Sequence, residues 1–230
     1  MNDQRCVFIT GGTGYLGRRL VHTLLDRGHG VRALSRPESV SKLPKGCESV
    51  IGDALHGLSY ATRIQPADTF VHLVGVSHPA PSKAQEFLRV DLASVEAAVP
   101  AAVVAGIRHF VYVSVAHPAP VMKAYVAARM RAEEIIRASG LSATFIRPWY
   151  VLGPGHRWPY AMIPLYWVMR MLPATREGAL RLGLVTLDQM IATLVHAVED
   201  PCDAIRAIDV PGIQGVELSS RPTYPPRLVH

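Results

Sequence analysis

Short apolar runs and longer amphipathic segments alternate along the whole chain. The runs, rich in β-branched and aromatic residues, predict buried strands at 5–10, 31–35, 48–51, 69–74, 108–114, 142–147 and 204–210. Segments whose apolar residues recur every three or four positions predict helices at 14–27, around 56–64, and at 83–105, 122–139, 160–171 and 186–199. Strands that alternate with helices are typical of a parallel sheet covered on both faces. We therefore expect an α/β fold with a doubly wound parallel sheet.

Local signals refine some of these boundaries. Thr186 followed by Gln189 resembles a capping box and marks the start of the last helix. Pro100 lies inside the helix predicted at 83–105, where its missing N–H and its ring should kink the helix. The proline-containing tail from Pro211 onward is expected to be irregular or disordered.

Length and composition are those of one globular domain. The 230 residues suit a single domain over 1–230, with a small C-terminal substrate lobe at about 151–182 and a tail at 211–230. A hydrophobic content of 49% with 18% charged residues excludes a disordered chain. The chain enters its first predicted strand almost at once, so we expect no signal peptide and a cytoplasmic protein. No apolar run reaches the roughly 20 residues of a spanning helix, so no transmembrane segment is expected.

Charge and cysteine content narrow the set of partners. The net charge of +6 comes mostly from arginines scattered along the chain without a basic run, which favours an anionic cofactor over a nucleic acid. The three cysteines are far apart and odd in number, and the histidines show no metal-ligand spacing. We therefore expect reduced, buried thiols and no metal site.

Residues 7–17, VFITGGTGYLG, combine a strand, a glycine turn and the start of a helix. The glycines of this G-x-x-G-x-x-G pattern let the backbone approach a pyrophosphate, which then lies against the N–H groups and positive dipole end of the helix. A glycine-rich hairpin without a ligand is the alternative. It would place a second strand where Leu16, Leu20 and Leu24 form a helical apolar stripe.

The end of the second predicted strand indicates which dinucleotide is bound. An acidic residue there hydrogen-bonds the ribose 2′-hydroxyl of NAD, whereas arginine suits the 2′-phosphate of NADP. Here Ser35 and Arg36 end the strand, and no carboxylate occurs before Glu38. NADP is therefore favoured over NAD. A surface arginine that contacts only solvent is the alternative for Arg36.

Five motifs follow one another in a fixed order: TGGTGYLG at 10–17, Gly-Asp at 52–53, VHLVG at 71–75, FVYVS at 110–114 and RPWYVLGPG at 147–155. In this order they resemble the extended or atypical short-chain dehydrogenases/reductases, epimerase/dehydratase-like or NmrA-like, over about residues 5–212. The resemblance implies a Rossmann fold that binds NAD(P). It implies cofactor contacts from Gly11, Thr13, Gly14, Tyr15, Leu16, Gly17, Ser35, Arg36, Asp53, Ala54, Leu73, Val74, Gly75 and Pro148.

The same resemblance implies a catalytic role for Tyr125. In that family a tyrosine and a lysine four residues later share one helix face. The lysine holds the nicotinamide ribose and lowers the tyrosine pKa from about 10, so that the phenol exchanges a proton with a carbonyl or alcohol. This chain has Arg129 at the lysine position, which keeps the positive charge but changes reach and geometry. Ser114 is the expected partner of the substrate oxygen, and a core tyrosine paired with an interhelical arginine is the alternative.

The segment 158–172 is densely apolar and aromatic. It is interpreted in three ways: the lining of an apolar substrate pocket, a partner interface, or a peripheral contact with a membrane surface. It lacks the polar cluster that a nucleotide-sugar requires, which favours a small apolar substrate. The sequence carries no signal for the oligomeric state.

Three functions follow as hypotheses. The leading one is an NADP-dependent oxidoreductase that transfers hydride between the nicotinamide and a small apolar carbonyl, enone or quinone. Arg129 in place of lysine favours a second, a non-catalytic NADP(H)-binding redox sensor, regulator or assembly subunit. A sugar-nucleotide epimerase or dehydratase is the third, and the short apolar lobe weighs against it.

Overall fold

A seven-stranded parallel sheet forms the centre of the fold. The computed structural model describes residues 4–153, 178 and 181–218. In chain order its strands are β1 (Cys6–Thr10), β2 (Gly30–Ser35), β3 (Glu48–Ile51), β4 (Thr69–His72), β5 (His109–Val113), β6 (Ser142–Arg147), β7 (Tyr150–Leu152), β8 (Leu184–Thr186) and β9 (Ile205–Asp209). The main sheet has the order β3-β2-β1-β4-β5-β6-β9, and β7 pairs with β8 in a separate parallel sheet. The predicted fold class is confirmed.

Helices cover both faces of this sheet. They are α1 (Tyr15–Asp26), α2 (Ala84–Glu86), α3 (Ala93–Val104), α4 (Lys123–Ala138), α5 (Leu187–Glu199) and α6 (Val210–Gln214). One apolar cluster joins α1 and α5 to one face, and a second joins α3 and α4 to the other. The two-sided cover explains why the central strands are continuous apolar runs rather than alternating ones.

Alternate side chains of the central strands supply the two clusters. Val7 and Ile9 belong to the cluster under α1 and α5, while the intervening Phe8 points to the other face. On that face the rings of neighbouring strands are in contact: Phe70 stacks on Phe110 at 4.9 Å between ring centroids and lies tilted against Phe8 at 5.2 Å. This aromatic row fixes the register of the three strands that border the candidate site.

The start of α5 agrees with the capping-box prediction. The Gln189 N–H donates to Thr186 Oγ1 at 3.1 Å, and the Thr186 N–H donates to Gln189 Oε1 at 2.9 Å. Both side chains therefore satisfy backbone groups that the first turn of α5 leaves open.

The helix predicted at 83–105 is more irregular than its pattern indicated. A 3-10 turn at Pro81–Lys83 and α2 lead into a π-helical segment, Phe87–Leu92, before α3 begins. Pro100 lies within α3 and does not end it. Two 3-10 turns, at 57–59 and 61–63, replace the single helix predicted around 56–64. A π-helical segment of this kind is often found at functional sites.

The prediction of an irregular tail from Pro211 is wrong at its start, because α6 occupies Val210–Gln214. Proline in the first turn presets the helical φ angle, and the apolar Val210 and Ile213 side chains are buried. The predicted helix 160–171, most of the lobe at 151–182 and the end of the tail lie outside the described residues.

The three cysteines, Cys6, Cys47 and Cys202, carry free thiols, as expected. They are half-buried rather than fully buried as predicted. Burial raises the pKa of the Cys47 thiol to about 11, which keeps it protonated.

Candidate active site

The predicted site residues gather at one edge of the main sheet. Gly11, Arg36, Leu73, Ser114 and Pro148 each follow directly or almost directly on the carboxyl end of a parallel strand. The strand order reverses between β1 and β4, which are hydrogen-bonded neighbours. A crevice at such a reversal is where open α/β sheets bind their ligands.

The glycine turn packs too tightly for side chains at three of its positions, Gly11, Gly12 and Gly17. Gly11 has a φ of +77°, and a Cβ there would lie 2.8 Å from the Leu73 carbonyl carbon. A Cβ at Gly17 would overlap the Gly11 carbonyl oxygen. The turn is held by the Gly14 N–H, which donates to Gly11 O at 3.0 Å. Glycine is therefore required by geometry and not only by the motif.

The first turn of α1 leaves its positive end open to an anion. Its N-cap is Gly14, which has no side chain to accept a hydrogen bond, and no acidic residue lies in the first turn. Thr13 and Leu16 flank this end half-buried, and Tyr15 is partly exposed. Exposed N–H groups at the end of a 12-residue helix suit a phosphate, so these residues fit a dinucleotide.

At the ends of β2 and β3 the predicted contacts differ in exposure. Ser35 is buried, and its hydroxyl shares a hydrogen bond with Ser49 Oγ at 3.0 Å. Arg36 is exposed, with Nε 3.3 Å from Glu38 Oε1. Asp53 is also exposed, and Ala54 beside it is half-buried. The exposed guanidinium is the group best placed to meet a further anion.

The Asp53 carboxylate is ionised and partly engaged. Its Oδ1 accepts the Leu55 N–H at 2.9 Å, and Oδ2 lies 3.1 Å from His56 Nδ1. The backbone hydrogen bond from Leu55, followed by the His56 side chain and the Arg36 charge, holds the pKa of Asp53 below its ordinary value. Asp53 is therefore a turn residue as well as a candidate for the adenosine end.

The loop after β4 runs between the glycine turn and the helices of the other face. The Leu73 N–H donates to Thr10 O at 3.0 Å, and Val74 and Gly75 follow, both half-buried. Below them His72 is buried between Thr10 Oγ1 (2.8 Å) and Ser94 Oγ (3.1 Å). Burial, with the Arg129 charge, lowers the pKa of His72 to about 3. His72 is therefore a neutral structural residue, and we assign it no chemical role.

Tyr125 and Arg129 lie together on α4, one helical turn apart. The guanidinium carbon of Arg129 is 5.2 Å from the centre of the Tyr125 ring. The Phe87 ring packs against the same phenol, with 5.0 Å between centroids. Tyr125 is half-buried, so its ring is fixed by its neighbours while part of it stays accessible.

Arg129 is buried and bound within the protein. Its Nη2 lies 2.5 Å from Asp91 Oδ1, and its Nη1 donates to Val113 O at 2.8 Å and to Tyr112 Oη at 3.3 Å. Burial opposes the charge, but Tyr112, Tyr125 and Asp91 outweigh it and raise the pKa of Arg129 above its ordinary value. The guanidinium therefore stays cationic at every relevant pH.

Asp91 is the main residue that the sequence analysis missed. It lies in the π-helical segment and is fully buried, and its Oδ2 accepts the Val76 N–H at 3.0 Å. Burial raises the pKa of Asp91, against the opposing effects of Arg129 and the Val76 hydrogen bond. The available signal was a single acid among the apolar residues at 87–95.

Ser114 lies at the end of β5, next to a second buried acid. Its N–H donates to Ile146 O at 2.8 Å, and its buried hydroxyl lies close to the Glu133 carboxylate without forming a hydrogen bond of ordinary geometry to any described residue. Glu133 accepts from Arg147 at 2.9 and 2.6 Å and from Arg137 at 2.7 Å. Burial opposes ionisation of Glu133, but the Arg147 hydrogen bonds outweigh it and lower its pKa.

The segment after β6 closes the site on the side of the lobe. Pro148 is buried, and its carbonyl accepts the Ala116 N–H at 2.9 Å. The Tyr15 hydroxyl occupies the space that a Cβ at Gly153 would fill, so the start of α1 touches the end of this segment. The rest of the predicted lobe, with the apolar stretch 158–172, lies outside the described residues.

Two negative observations concern the described ranges alone. Within 4–153, 178 and 181–218, no group of three or more His, Cys, Asp or Glu side chains is arranged to hold a metal ion. In the same ranges, no helix has the length and apolar content needed to cross a lipid bilayer.

Comparison with known proteins gives one family and several relatives. A family model described as NAD(P)H-binding matches residues 11–157. A ceramide reductase of Caulobacter vibrioides is 29% identical over 197 residues, covering 85% of this chain and 61% of the reductase. A Bacillus subtilis protein described as the uncharacterised sugar epimerase YhfK is 33% identical over 153 residues, or 62% of this chain and 70% of that one.

A solved structure shares the fold. The Bordetella bronchiseptica enzyme WbmH in complex with NAD+ superposes with a TM-score of 0.67 at 21% identity, covering 90% of this chain and 76% of WbmH. The chain matches only 61% of the length of the ceramide reductase, and less of several other curated relatives.

Proposed function

The chain belongs to the NAD(P)H-binding family, and we propose that it is an NADP-dependent oxidoreductase that transfers hydride between the nicotinamide and a small apolar carbonyl, enone or quinone. One observation carries the proposal. A half-buried phenol, Tyr125, stands over the buried cation Arg129 beside the carboxyl edge, where the glycine turn and the open end of α1 fit a dinucleotide. A similar protein, the ceramide reductase, is named for an apolar substrate.

The cofactor would be held mainly by backbone. The α1 N-terminus and the turn Gly11–Gly17 would bind the pyrophosphate, and the loop Leu73–Gly75 would lie along the nicotinamide half. Arg36 would bind the 2′-phosphate of NADP, since it is exposed at the end of β2 and no carboxylate ends that strand. When bound, the nicotinamide supplies or accepts the hydride.

The protein's own part in the reaction is to hold the carbonyl and move one proton. The Tyr125 hydroxyl would donate a proton to the carbonyl oxygen in the reduction, and would take it back in the reverse direction. Ser114, whose hydroxyl makes no ordinary hydrogen bond within the described residues, binds the same oxygen. Arg129 stabilises the tyrosinate left behind, because its guanidinium lies 5.2 Å from the ring.

Cofactor preference is tested by titration of the quenching of tryptophan fluorescence with NADPH and NADH, separately. We expect tighter binding of NADPH, and a loss of about tenfold or more of NADPH affinity in Arg36→Ala with NADH affinity unchanged. Arg131→Ala is the matched control, because it removes an arginine that is also exposed but lies on α4. Equal affinity for the two cofactors in the wild type would refute the role of Arg36.

Catalysis is tested by NADPH consumption with aromatic and medium-chain ketones, enones and quinones. Conversion of UDP-glucose is followed separately by chromatography of the sugar nucleotide, because epimerisation consumes no net NADPH. We expect turnover of an apolar carbonyl that Tyr125→Phe abolishes while NADPH still binds. Turnover unchanged in Tyr125→Phe would refute the mechanism. Conversion of UDP-glucose alone would favour an epimerase, the description given to the Bacillus relative.

A non-catalytic NADP(H)-binding protein is the second candidate. The observation that favours it is the engagement of both terminal nitrogens of Arg129 with Asp91, Val113 and Tyr112, which leaves the cation little freedom to hold a ribose. Tight NADPH binding with no turnover of any carbonyl or sugar-nucleotide would select this function.

A further inference from the structure

The Asp91–Arg129 pair lies directly beneath the loop after β4. Asp91 uses both carboxylate oxygens there, one toward Arg129 Nη2 at 2.5 Å and one toward the Val76 N–H at 3.0 Å. A Cβ at Gly75 would overlap Arg129 Nη2 and would come within 3.1 Å of Asp91 Oδ1. The loop backbone therefore crosses over the ion pair, in contact with both members.

The charged and titratable groups around Arg129 come from four elements. Asp91 faces it from the π-helical segment, Tyr112 from β5, His72 from β4, and Tyr125 from α4 itself. His72 is neutral, because burial and Arg129 lower its pKa to about 3. Burial raises the pKa of Tyr112 to about 12, so this phenol is neutral as well. Among these neighbours, Asp91 is the one that carries a compensating negative charge.

We propose that Asp91 is a positioning residue that neutralises Arg129, so that Tyr125 works beside a compensated ion pair rather than beside a free cation. The inference rests on the proposed function for its meaning in catalysis, but its geometry does not depend on turnover. Arg129 is drawn inward by Asp91, Tyr112 and Val113, so its charge reaches Tyr125 through the ring and not through a hydrogen bond.

Replacing Asp91 by asparagine removes the negative charge and should change the ionisation of Tyr125. In Asp91→Asn the single amide oxygen can accept from only one of the two donors, Arg129 Nη2 or the Val76 N–H, and Arg129 keeps its charge without compensation. An uncompensated cation within about 4–6 Å lowers the pKa of a neighbouring acid by about 1–3 units. We therefore expect the ionisation of Tyr125 to move about one pH unit lower in Asp91→Asn. If Asp91 only packed the helix, Asp91→Asn would lower the stability of the protein without this shift.

The experiment isolates the Tyr125 signal by difference. Tyrosinate absorbance is followed against pH for the full chain and for Tyr125→Phe, and the pair is repeated in the Asp91→Asn background. The difference between the members of each pair is the titration of Tyr125. The expected result is a step that lies about one unit lower in the Asn background, with the corresponding limb of the kcat profile moved in the same direction.

Three further variants keep the test decisive. Glu134→Gln makes the same acid-to-amide change on the exposed side of α4 and should leave the step in place. Arg129→Gln, which leaves Asp91 as the uncompensated charge, should move the step upward, and Asp91→Asn with Arg129→Gln should restore an intermediate value. If Asp91→Asn alone does not fold, Arg129→Gln is compared with the double variant, in which removal of the Asp91 charge should lower the step; an unchanged step would overturn the proposal.

The outcomes separate this inference from the proposed function. A Tyr125 step that stays in place or rises in Asp91→Asn, while the melting temperature falls, overturns the positioning role of Asp91. If no substrate is turned over but the step moves as expected, the proposed function fails and the electrostatic role of Asp91 stands.

Discussion

Gly75→Ala is the most direct perturbation of the candidate site, because it adds one methyl group over a buried ion pair. The new Cβ would overlap Arg129 Nη2 and would approach Asp91 Oδ1 to 3.1 Å. Gly75 does not have a positive φ angle, so backbone strain contributes nothing to the effect. Either the pair separates or the loop 73–76 moves away from it.

The expected cost follows from those two responses. Overpacking that shifts a loop costs about 1–3 kcal/mol, and breaking a buried pair costs about 3–5 kcal/mol. We therefore expect Gly75→Ala to lower the free energy of unfolding by about 3 kcal/mol. For a chain of this length that corresponds to a fall of roughly 6–12 °C in the melting temperature.

The assay compares thermal and urea unfolding of Gly75→Ala with Gly30→Ala. Gly30 also lacks a positive φ angle, and a Cβ there would meet nothing closer than 3.8 Å. The penalty at Gly75 should shrink in an Arg129→Gln background, because the shorter side chain leaves room for the methyl group. Equal stability of the two alanine variants would refute the close approach of Gly75 to the Asp91–Arg129 pair.

Three further predictions concern the glycine turn, the histidine below the site and the start of α5. Gly17→Ala should weaken NADPH binding more than tenfold in fluorescence titration, since its Cβ would overlap the Gly11 carbonyl; Gly30→Ala should bind normally. For His72 the folded pKa of about 3 lies below the ordinary 6.5, so the unfolded chain binds the proton first and stability is lost as pH falls from 6.5 toward 3. Urea unfolding across that window should show a pH dependence about 1.4 kcal/mol per unit steeper than in His72→Gln, and parallel curves would contradict it. Thr186→Ala should lower unfolding free energy by about 1 kcal/mol through loss of the α5 cap, and no change in the melting temperature would show that the capping box is dispensable.

Local chemistry explains why so much of the fold followed from the sequence. The strands Thr69–His72 and His109–Val113 are short apolar runs bounded by turns, and the Thr186 cap needs only its own first turn. Such signals are complete within a few residues. The errors occurred where tertiary packing decides the outcome, as at Val210 and Ile213, whose burial supports a helix in a proline-containing tail.

The candidate site shows the same difference between local signals, which the sequence contains, and contacts that tertiary packing decides. The glycine turn was predictable because a backbone cradle is encoded in consecutive residues, and Arg36 because it ends a strand. The acids that surround the predicted Tyr125, Arg129 and Ser114 were not. Asp91 meets Arg129 across 38 positions of the chain, and Glu133 meets Arg147 across 14. Pairing at that distance is set by how the helices pack on the sheet, and no spacing rule contains it.

Arg129 stands where the resembled family has a lysine, and its role depends on the groups around it. An arginine in this position is buried, and a buried cation persists only with a partner, which Asp91 provides at 2.5 Å. The partner in turn requires the loop above it to be free of a side chain, which Gly75 provides. Each feature depends on the others: the buried cation is unfavourable without the acid, the buried acid is unfavourable without the cation, and a side chain at position 75 would clash with the pair. Arg129 is thus one member of a coupled group beneath the loop after β4, and we expect its effect on Tyr125 to be set by the pair with Asp91 and not by the arginine alone.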